Sequence, residues 1–480
     1  MCQRAAQQKW IRWLHCATSE PVASDSTSRR AQSSPQLCSL TIELHFWSRP
    51  DADFVSGEAR PNALFSLPSL YHGDGMANGS EKSRAQSRRP FFSQRTGWTT
   101  QSNPLTMAAA AARSTGAELL DLSESNPTRS GLQYDAAAIL RSFQHQSILN
   151  YAPDPRGLHS ARAAVAAYYA ELAIVADPGH IILTTGTSEA YSFLFRLLCN
   201  PGDEVLVPQP SYPLFEFLAA LDDVTLRPYE LVYHDGWQID FPSLASTLTE
   251  RTRAVMLVNP NNPTGSYVKP RELNQLNALC VEHGLALIAD EVFFDYALAV
   301  AGDHRRSFAQ NHAALTFTLS GLSKIAALPQ MKAAWVVVSG PGDQTHAALE
   351  RLDVIADTFL SMSTPVQLAL PQLLDQRRTV VPQLLRRIAS NLAELDRQLT
   401  AHHLVERLHI EGGWYATLRV PVTRSDEDLA VALVEQERVL VHPGHFYDFH
   451  RDGYLVLSLI TPEEAFLEGV VRLLRFISHH

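Results

Sequence analysis

Between residues 181 and 338 this chain repeats one pattern: a short apolar run, a turn, then a helical stretch. Ile181–Thr184, Glu204–Val207, Thr225–Glu230, Ala254–Val258, Leu285–Ala289, Leu315–Leu319 and Ala333–Val338 read as strands. Ser188–Leu198 reads as a helix stopped by Pro201-Gly202, and a short helix follows Pro213. Several runs are apolar at every position, as strands covered on both faces must be. Strand, crossover and strand in succession predict a mostly parallel sheet in an α/β layer fold. Ligands of such sheets bind beyond the carboxyl ends of the strands. The residues that follow each run are therefore the candidates for chemistry.

Three runs end on groups of distinct chemistry. Asn262 lies in Asn259-Pro260-Asn261-Asn262-Pro263-Thr264-Gly265, after Ala254–Val258. Asp290 closes Leu285–Ala289. Lys324, in Ser320-Gly321-Leu322-Ser323-Lys324, follows Leu315–Leu319. An amide, a carboxylate and an amine at one sheet end suit pyridoxal 5'-phosphate (PLP). The amine bonds its aldehyde, the acid keeps its pyridine nitrogen protonated, and the amide donates to its ring hydroxyl.

Lys324 must then lose its proton near neutral pH, which burial beside another cation achieves. Lys332 is the expected cation, and it also offers charge to a phosphate. Gly186-Thr187-Ser188 follows a strand and opens a helix, where free backbone N–H groups and the helix dipole favour a phosphate. Tyr212, in Pro210-Ser211-Tyr212-Pro213, is placed to stack on a ring. Each residue also has an ordinary reading. Asp290 could cap a helix, Thr187 and Ser188 could be plain N-caps, Tyr212 could pack a turn, and Lys332 could edge a strand. Glu291, beside Asp290, is expected at the surface.

The chain has 480 residues, 45% of them hydrophobic, enough for large cores. No apolar stretch approaches the length of a membrane span. Five cysteines without CxxC or Cys/His spacing point to neither a disulfide framework nor a metal, and favour a reducing cytoplasm. A formal net charge of −10 argues against general nucleic-acid binding. Residues 1–90, rich in Ser, Arg, Gln and Pro, show no sustained period. They read as a transit peptide, a disordered arm or a translated upstream stretch with Met76 as the true start, the last being preferred. Residues 91–150 are expected to be an N-terminal segment packed with a small domain. Residues 151–345 form the large α/β domain. Residues 346–480 form a smaller α+β domain, entered through one long helical region reaching about residue 401.

Together these residues resemble the class I/II aminotransferases, PLP-dependent enzymes of fold type I, over roughly residues 91–475. The resemblance implies that Asn262 binds the ring hydroxyl, Asp290 the ring nitrogen and Lys324 the aldehyde. It implies that Tyr212 stacks on the ring and that Gly186, Thr187, Ser188, Ser323 and Lys332 surround the phosphate. Tyr151, in Tyr151-Ala152-Pro153-Asp154-Pro155-Arg156-Gly157, matches the tyrosine that reaches the phosphate of a partner subunit, which implies a homodimer with shared sites. The implied reaction moves an amino group from an amino acid to a 2-oxo acid by a ping-pong mechanism.

Three positions depart from the family pattern. Phe293 stands where a tyrosine is usual, Lys332 where an arginine is usual, and Val456 where an arginine usually grips the substrate carboxylate. Arg129, in Ser125-Asn126-Pro127-Thr128-Arg129, is the candidate replacement. The Val456 departure keeps a PLP-dependent lyase or decarboxylase on the same fold as the alternative function. A non-catalytic PLP-fold regulator would need an N-terminal helix-turn-helix, for which residues 1–90 show no amphipathic helix pair. No GxGxxG follows the first strand, which disfavours nicotinamide binding.

Overall fold

Apolar side chains on both faces of the central strands decide the architecture. In Thr252–Val258, Ala254, Met256 and Val258 point into one core, and Val255 and Leu257 into another. The strand must therefore lie between two layers. The computed structural model describes residues 91–98, 101–298 and 305–479. The expected leader, with Met76, lies outside the described residues.

Eight strands form the main sheet: β1 (Ile181–Thr184), β2 (Glu204–Gln209), β3 (Thr225–Tyr233), β4 (Trp237–Ile239), β5 (Thr252–Val258), β6 (Ala286–Asp290), β7 (Thr316–Gly321) and β8 (Ala334–Ser339). Their order across the sheet is β1-β8-β7-β6-β5-β2-β3-β4. β7, β6, β5, β2 and β3 pair in parallel, while β8 runs antiparallel to both β1 and β7, and β4 antiparallel to β3. The sheet is thus mixed and mostly parallel, as the strand-helix alternation predicts.

Three helices cover the two faces of the sheet's middle. α1 (Thr187–Leu198) and α3 (Gly342–Phe359) bury Ala190, Leu194, Leu349 and Leu352 against one face. α2 (Pro270–His283) sets Leu276 and Cys280 on the other. Gly284, at φ +65°, ends α2 in the left-handed conformation and returns the chain directly into β6.

The helical region after Pro341 holds three helices: α3, α4 (Thr364–Asp375) and α5 (Arg377–Leu399). Leu360 turns left-handed at φ +66° and stops α3, and Pro365 then sits in the first turn of α4, where its missing N–H costs nothing. A four-stranded antiparallel sheet follows: β9 (Glu406–Arg407), β10 (Tyr415–Arg419), β11 (His442–Pro443) and β12 (Tyr454–Ser458), in the order β9-β10-β12-β11. Its Leu418, Leu455 and Leu457 share a core with Leu105, Ala109 and Ala112 from Pro104–Ser114. Leu120 and Asp121 pair in parallel with Val439 and Leu440. Among the described residues, no helix is long and apolar enough to cross a membrane.

Candidate active site

The strand order brings the candidate residues to one end of the sheet. Reading across from β1, the chain offers Thr187 just after β1, Lys332 just before β8, Lys324 after β7, Asp290 at the tip of β6, Asn262 after β5 and Tyr212 after β2. β8 runs the opposite way, so its start lies where its neighbours finish. Six neighbouring strands thus each place one of these residues at the same edge. A cavity of about 150 Å³ opens there. It is lined by Thr187, Tyr212, Asn262, Asp290, Ser323 and Lys324, together with Ser125, Phe215, Phe293 and Tyr415.

Asp290 is only 7% exposed. Its Oδ1 accepts a hydrogen bond from the Val292 backbone N–H (3.1 Å), and its Oδ2 accepts from the Tyr191 hydroxyl (2.8 Å). Burial pushes its carboxyl up to about 6, against the pull of Val292, Tyr191 and Lys324 towards the ionised form. The acid is buried yet still ionised at neutral pH, which suits a partner with a cationic N–H.

Lys324 is half-buried, and desolvation lowers its amine to about 8. The charges acting on it are the carboxylates Asp290 and Glu124, which oppose that fall. The expected help from a neighbouring cation is therefore corrected: desolvation is what depresses this amine, and the charges named beside it are both negative. The ammonium lies over two aromatic rings, 4.6 Å from the Trp414 centroid and 5.4 Å from that of Phe293. The Tyr296 hydroxyl donates to the Lys324 carbonyl (2.6 Å) and pins the turn.

Gly186 and Lys332 meet at the start of α1. A Cβ built on Gly186 would lie 3.5 Å from Lys332 Nζ. That places an ammonium beside the first turn of a helix whose dipole favours an anion. The Asn262 loop is held from the other side. The N–H groups of Glu411 and Gly412 both donate to the Gly265 carbonyl, at 3.0 and 2.9 Å. Gly265 has φ +68°, and a Cβ there would strike the Gly412 carbonyl at 2.6 Å, so only glycine allows this approach. The contact seats Trp414 beside Lys324.

These residues fit PLP. Asn262 lines the cavity with its Oδ1 buried and without a hydrogen-bond partner, and turning the amide over presents its N–H donors instead. A buried carboxylate, a lysine of lowered pKa and a helix N-terminus with an adjacent ammonium complete the set. Among the described residues, no group of three or more His, Cys, Asp or Glu could hold a metal ion.

Some expected residues lie away from the cavity lining. Tyr151 is 75% exposed. Arg129 is half exposed and lies 3.8 Å from Glu124. Val456 is buried in the core, paired across β12 with Thr417 and His442. Ser188 follows Thr187 in α1 but does not line the cavity.

Glu291 needs a correction. It is not a surface charge but 1% exposed. It accepts from Ser307 Oγ (2.7 Å), the Phe308 N–H (2.7 Å) and Asn259 Nδ2 (3.3 Å), and burial pushes its carboxyl up to about 7. The Glu291→Ala variant should lose about 3 kcal/mol of stability in chemical unfolding, because three donors are left without their acceptor in the interior. The raised carboxyl makes wild-type stability fall as pH rises from the ordinary glutamate range through 7, since the folded state holds the extra proton there. Glu291→Gln should remove that slope.

Tyr191, Trp414, Tyr415 and Ser125 escape the sequence reading. Tyr191 alone carries a local signal: it lies one helical turn after Thr187, on the same face of α1.

Comparison with known proteins agrees with this geometry. The chain belongs to the aminotransferase class I and II family, whose pattern matches residues 117–465. It is a PLP-dependent aminotransferase, an enzyme that moves an amino group between an amino acid and a 2-oxo acid. It is 26% identical over 376 residues to the glutamate-pyruvate aminotransferase AlaA of Haemophilus influenzae, covering 76% of this chain and 92% of that one. It is 28% identical over 384 residues to an alanine aminotransferase of Mycobacterium bovis, covering 78% and 89%. Its fold matches an alanine aminotransferase from Pyrococcus furiosus with a TM-score of 0.71 at 21% identity, over 78% of this chain and 96% of that one.

Proposed function

We propose that this site runs both half-reactions of transamination with Lys324 as anchor and proton carrier. The observation that carries the reading is the shared cavity, which Lys324, Asp290, Asn262 and Thr187 line together. When bound, PLP supplies an electron-poor ring that makes the proton on the substrate α-carbon acidic.

In this reading Lys324 would anchor the cofactor's aldehyde, and its amine, when free, would carry the α-proton of the substrate. Asp290 holds the pyridine nitrogen protonated, and Asn262 donates to the ring hydroxyl. Tyr212 covers the ring face. Gly186, Thr187, Ser188, Ser323 and Lys332 hold the phosphate. Phe293 offers no hydroxyl, so Asn262 acts there without the usual second donor. Lys332 keeps the positive charge but not the forked geometry of an arginine.

Arg129 is the proposed grip on the substrate carboxylate. It lies in the same short segment as Ser125, which lines the cavity. Its contact with Glu124, at 3.8 Å, is too long for a hydrogen bond, and the guanidinium is half exposed. It is free to exchange that contact for a bidentate one. Arg129→Ala should raise KM for the amino acid about 10- to 100-fold with kcat little changed, the loss of one charge-assisted bond. An unchanged KM removes Arg129 from the site.

Alanine with 2-oxoglutarate, and glutamate with pyruvate, are the first pairs to assay, because the relatives are named for alanine and for glutamate-pyruvate exchange. The protein is proposed to act as a homodimer, with Tyr151 reaching the partner's phosphate site, and to work in the cytoplasm. Residues 151–345 are proposed as the large domain, residues 346–480 as the small one, and residues 91–150 as a segment packed on the latter. The test is stoichiometric. With an amino acid alone, the PLP-loaded enzyme should release one 2-oxo acid per site and stop until a second 2-oxo acid is added. Continuous product release without an acceptor would mark a lyase instead.

A further inference from the structure

Helix α1 reaches the cofactor site at two places. Thr187, in its first turn, lines the cavity, and Tyr191, one turn on, meets Asp290. Tyr191 is 2% exposed. Its ring packs edge-on against Phe215, at 5.2 Å between centroids, and lies tilted against Phe195 at 6.1 Å. Those contacts fix where the hydroxyl points, 2.8 Å from Asp290 Oδ2. A buried phenol needs a partner for its O–H. This one takes the very carboxylate on which the cofactor assignment depends.

We propose that Tyr191 is a positioning residue for the cofactor's ring: its hydroxyl and the Val292 N–H hold the two oxygens of Asp290 in the plane from which that carboxylate meets the pyridine nitrogen. The inference rests on the reading of Asp290 as the partner of that nitrogen. Each carboxylate oxygen can accept more than one hydrogen bond. Tyr191 and Val292 take one position on each, and lone pairs remain for the ring.

The arrangement also has an electrostatic consequence. Burial favours the neutral acid, whereas a donated hydrogen bond favours the carboxylate. The ionisable groups around Asp290 are Lys324, Glu291, Tyr212 and Tyr191. Among these, Tyr191 and Lys324 favour the ionised form, and Tyr191 is the one whose hydroxyl donates directly to the carboxylate.

The test is PLP affinity of the apo-protein, titrated from acid to mildly alkaline pH. Four proteins are compared: wild type, Tyr191→Phe, Asp290→Asn and the double variant. Tyr191→Phe removes one oxygen and leaves the ring packing in place. It should move the acid limb of the affinity profile up by about one pH unit, which is about a tenfold loss of affinity on that limb. In the Asp290→Asn background the same change should alter affinity by no more than about twofold, as expected when one group acts through the other.

If Asp290→Asn weakens PLP while Tyr191→Phe matches wild type, the inference on Tyr191 is overturned and the role of Asp290 stands. If Asp290→Asn itself leaves affinity unchanged, both fall. Additive losses in the double variant also overturn the inference, because they assign Tyr191 a separate packing role. 3-Fluorotyrosine placed at position 191 keeps the shape and strengthens the donor. It should move the acid limb downward, and it decides the matter if Tyr191→Phe fails to fold. An unmoved or upward-shifted limb in that protein overturns the proposal.

Discussion

Lys324→Ala should leave a folded protein that has lost transamination by at least about 10³-fold, the scale of a missing proton-transfer group. The loss has two sources in one side chain. In the proposed mechanism the amine anchors the cofactor aldehyde and, when free, moves the α-proton. The variant should also release its cofactor on gel filtration, which wild type should not. Folding should survive, because removing a desolvated amine relieves a cost; the lowering of Lys324 to about 8 gives the direction of that cost. The same value sets the pH dependence of loading. Only the neutral amine bonds the aldehyde, so the rate of PLP uptake should rise about tenfold per pH unit up to about 8 and then flatten. A lysine of ordinary pKa would keep rising well beyond that point.

Asp290→Asn should lower kcat roughly 10³-fold while leaving stability unchanged or slightly higher. The two directions follow from one fact. Asp290 is buried, and its carboxyl stands at about 6, well above the ordinary aspartate range. Ionising it in the interior costs the folded state free energy, so a neutral amide of the same shape removes that cost. The amide, however, could not play the proposed part of Asp290, which is to keep the pyridine nitrogen of the cofactor protonated. A variant that loses activity and stability together would mean that Asp290 is mainly a structural acid. Stopped-flow measurement of the first half-reaction, with unfolding curves on the same preparations, separates the cases.

The cavity that gathers the candidate residues was readable in the sequence to the extent that it follows strands. Asn262, Asp290 and Lys324 each come directly after a continuously apolar run, and strands of that type fix both the layer and the end at which the next residue emerges. Thr187 was readable for the same reason, at the start of a helix that follows a strand. What surrounds them was not. Trp414 and Tyr415 come from a segment about 90 residues beyond Lys324, seated by the contact of Gly265 with the Gly412 carbonyl. No local pattern carries that information.

Glu291 was misread because an acid after a strand usually meets water. Here Ser307 and Phe308 return over it and supply donors, which only the tertiary fold reveals. The cause of the low Lys324 pKa was misread in a related way. Lys332 is near in sequence, but its ammonium lies at Gly186, and burial does the work assigned to it. The helical region after Pro341 was legible, but not where it divides, because Leu360 ends the first helix at positive φ, which helical spacing does not predict.

The central claim is that PLP is bound covalently through the amine of Lys324, with Asp290 at its ring. Borohydride reduction of the PLP-loaded protein, followed by proteolysis and mass spectrometry of the peptides, tests it directly. The account predicts one cofactor per chain, on the peptide carrying Lys324, and none on Lys332 or Lys269. Cofactor fixed to a different lysine, or no fixed cofactor in a protein that still transaminates, would contradict it.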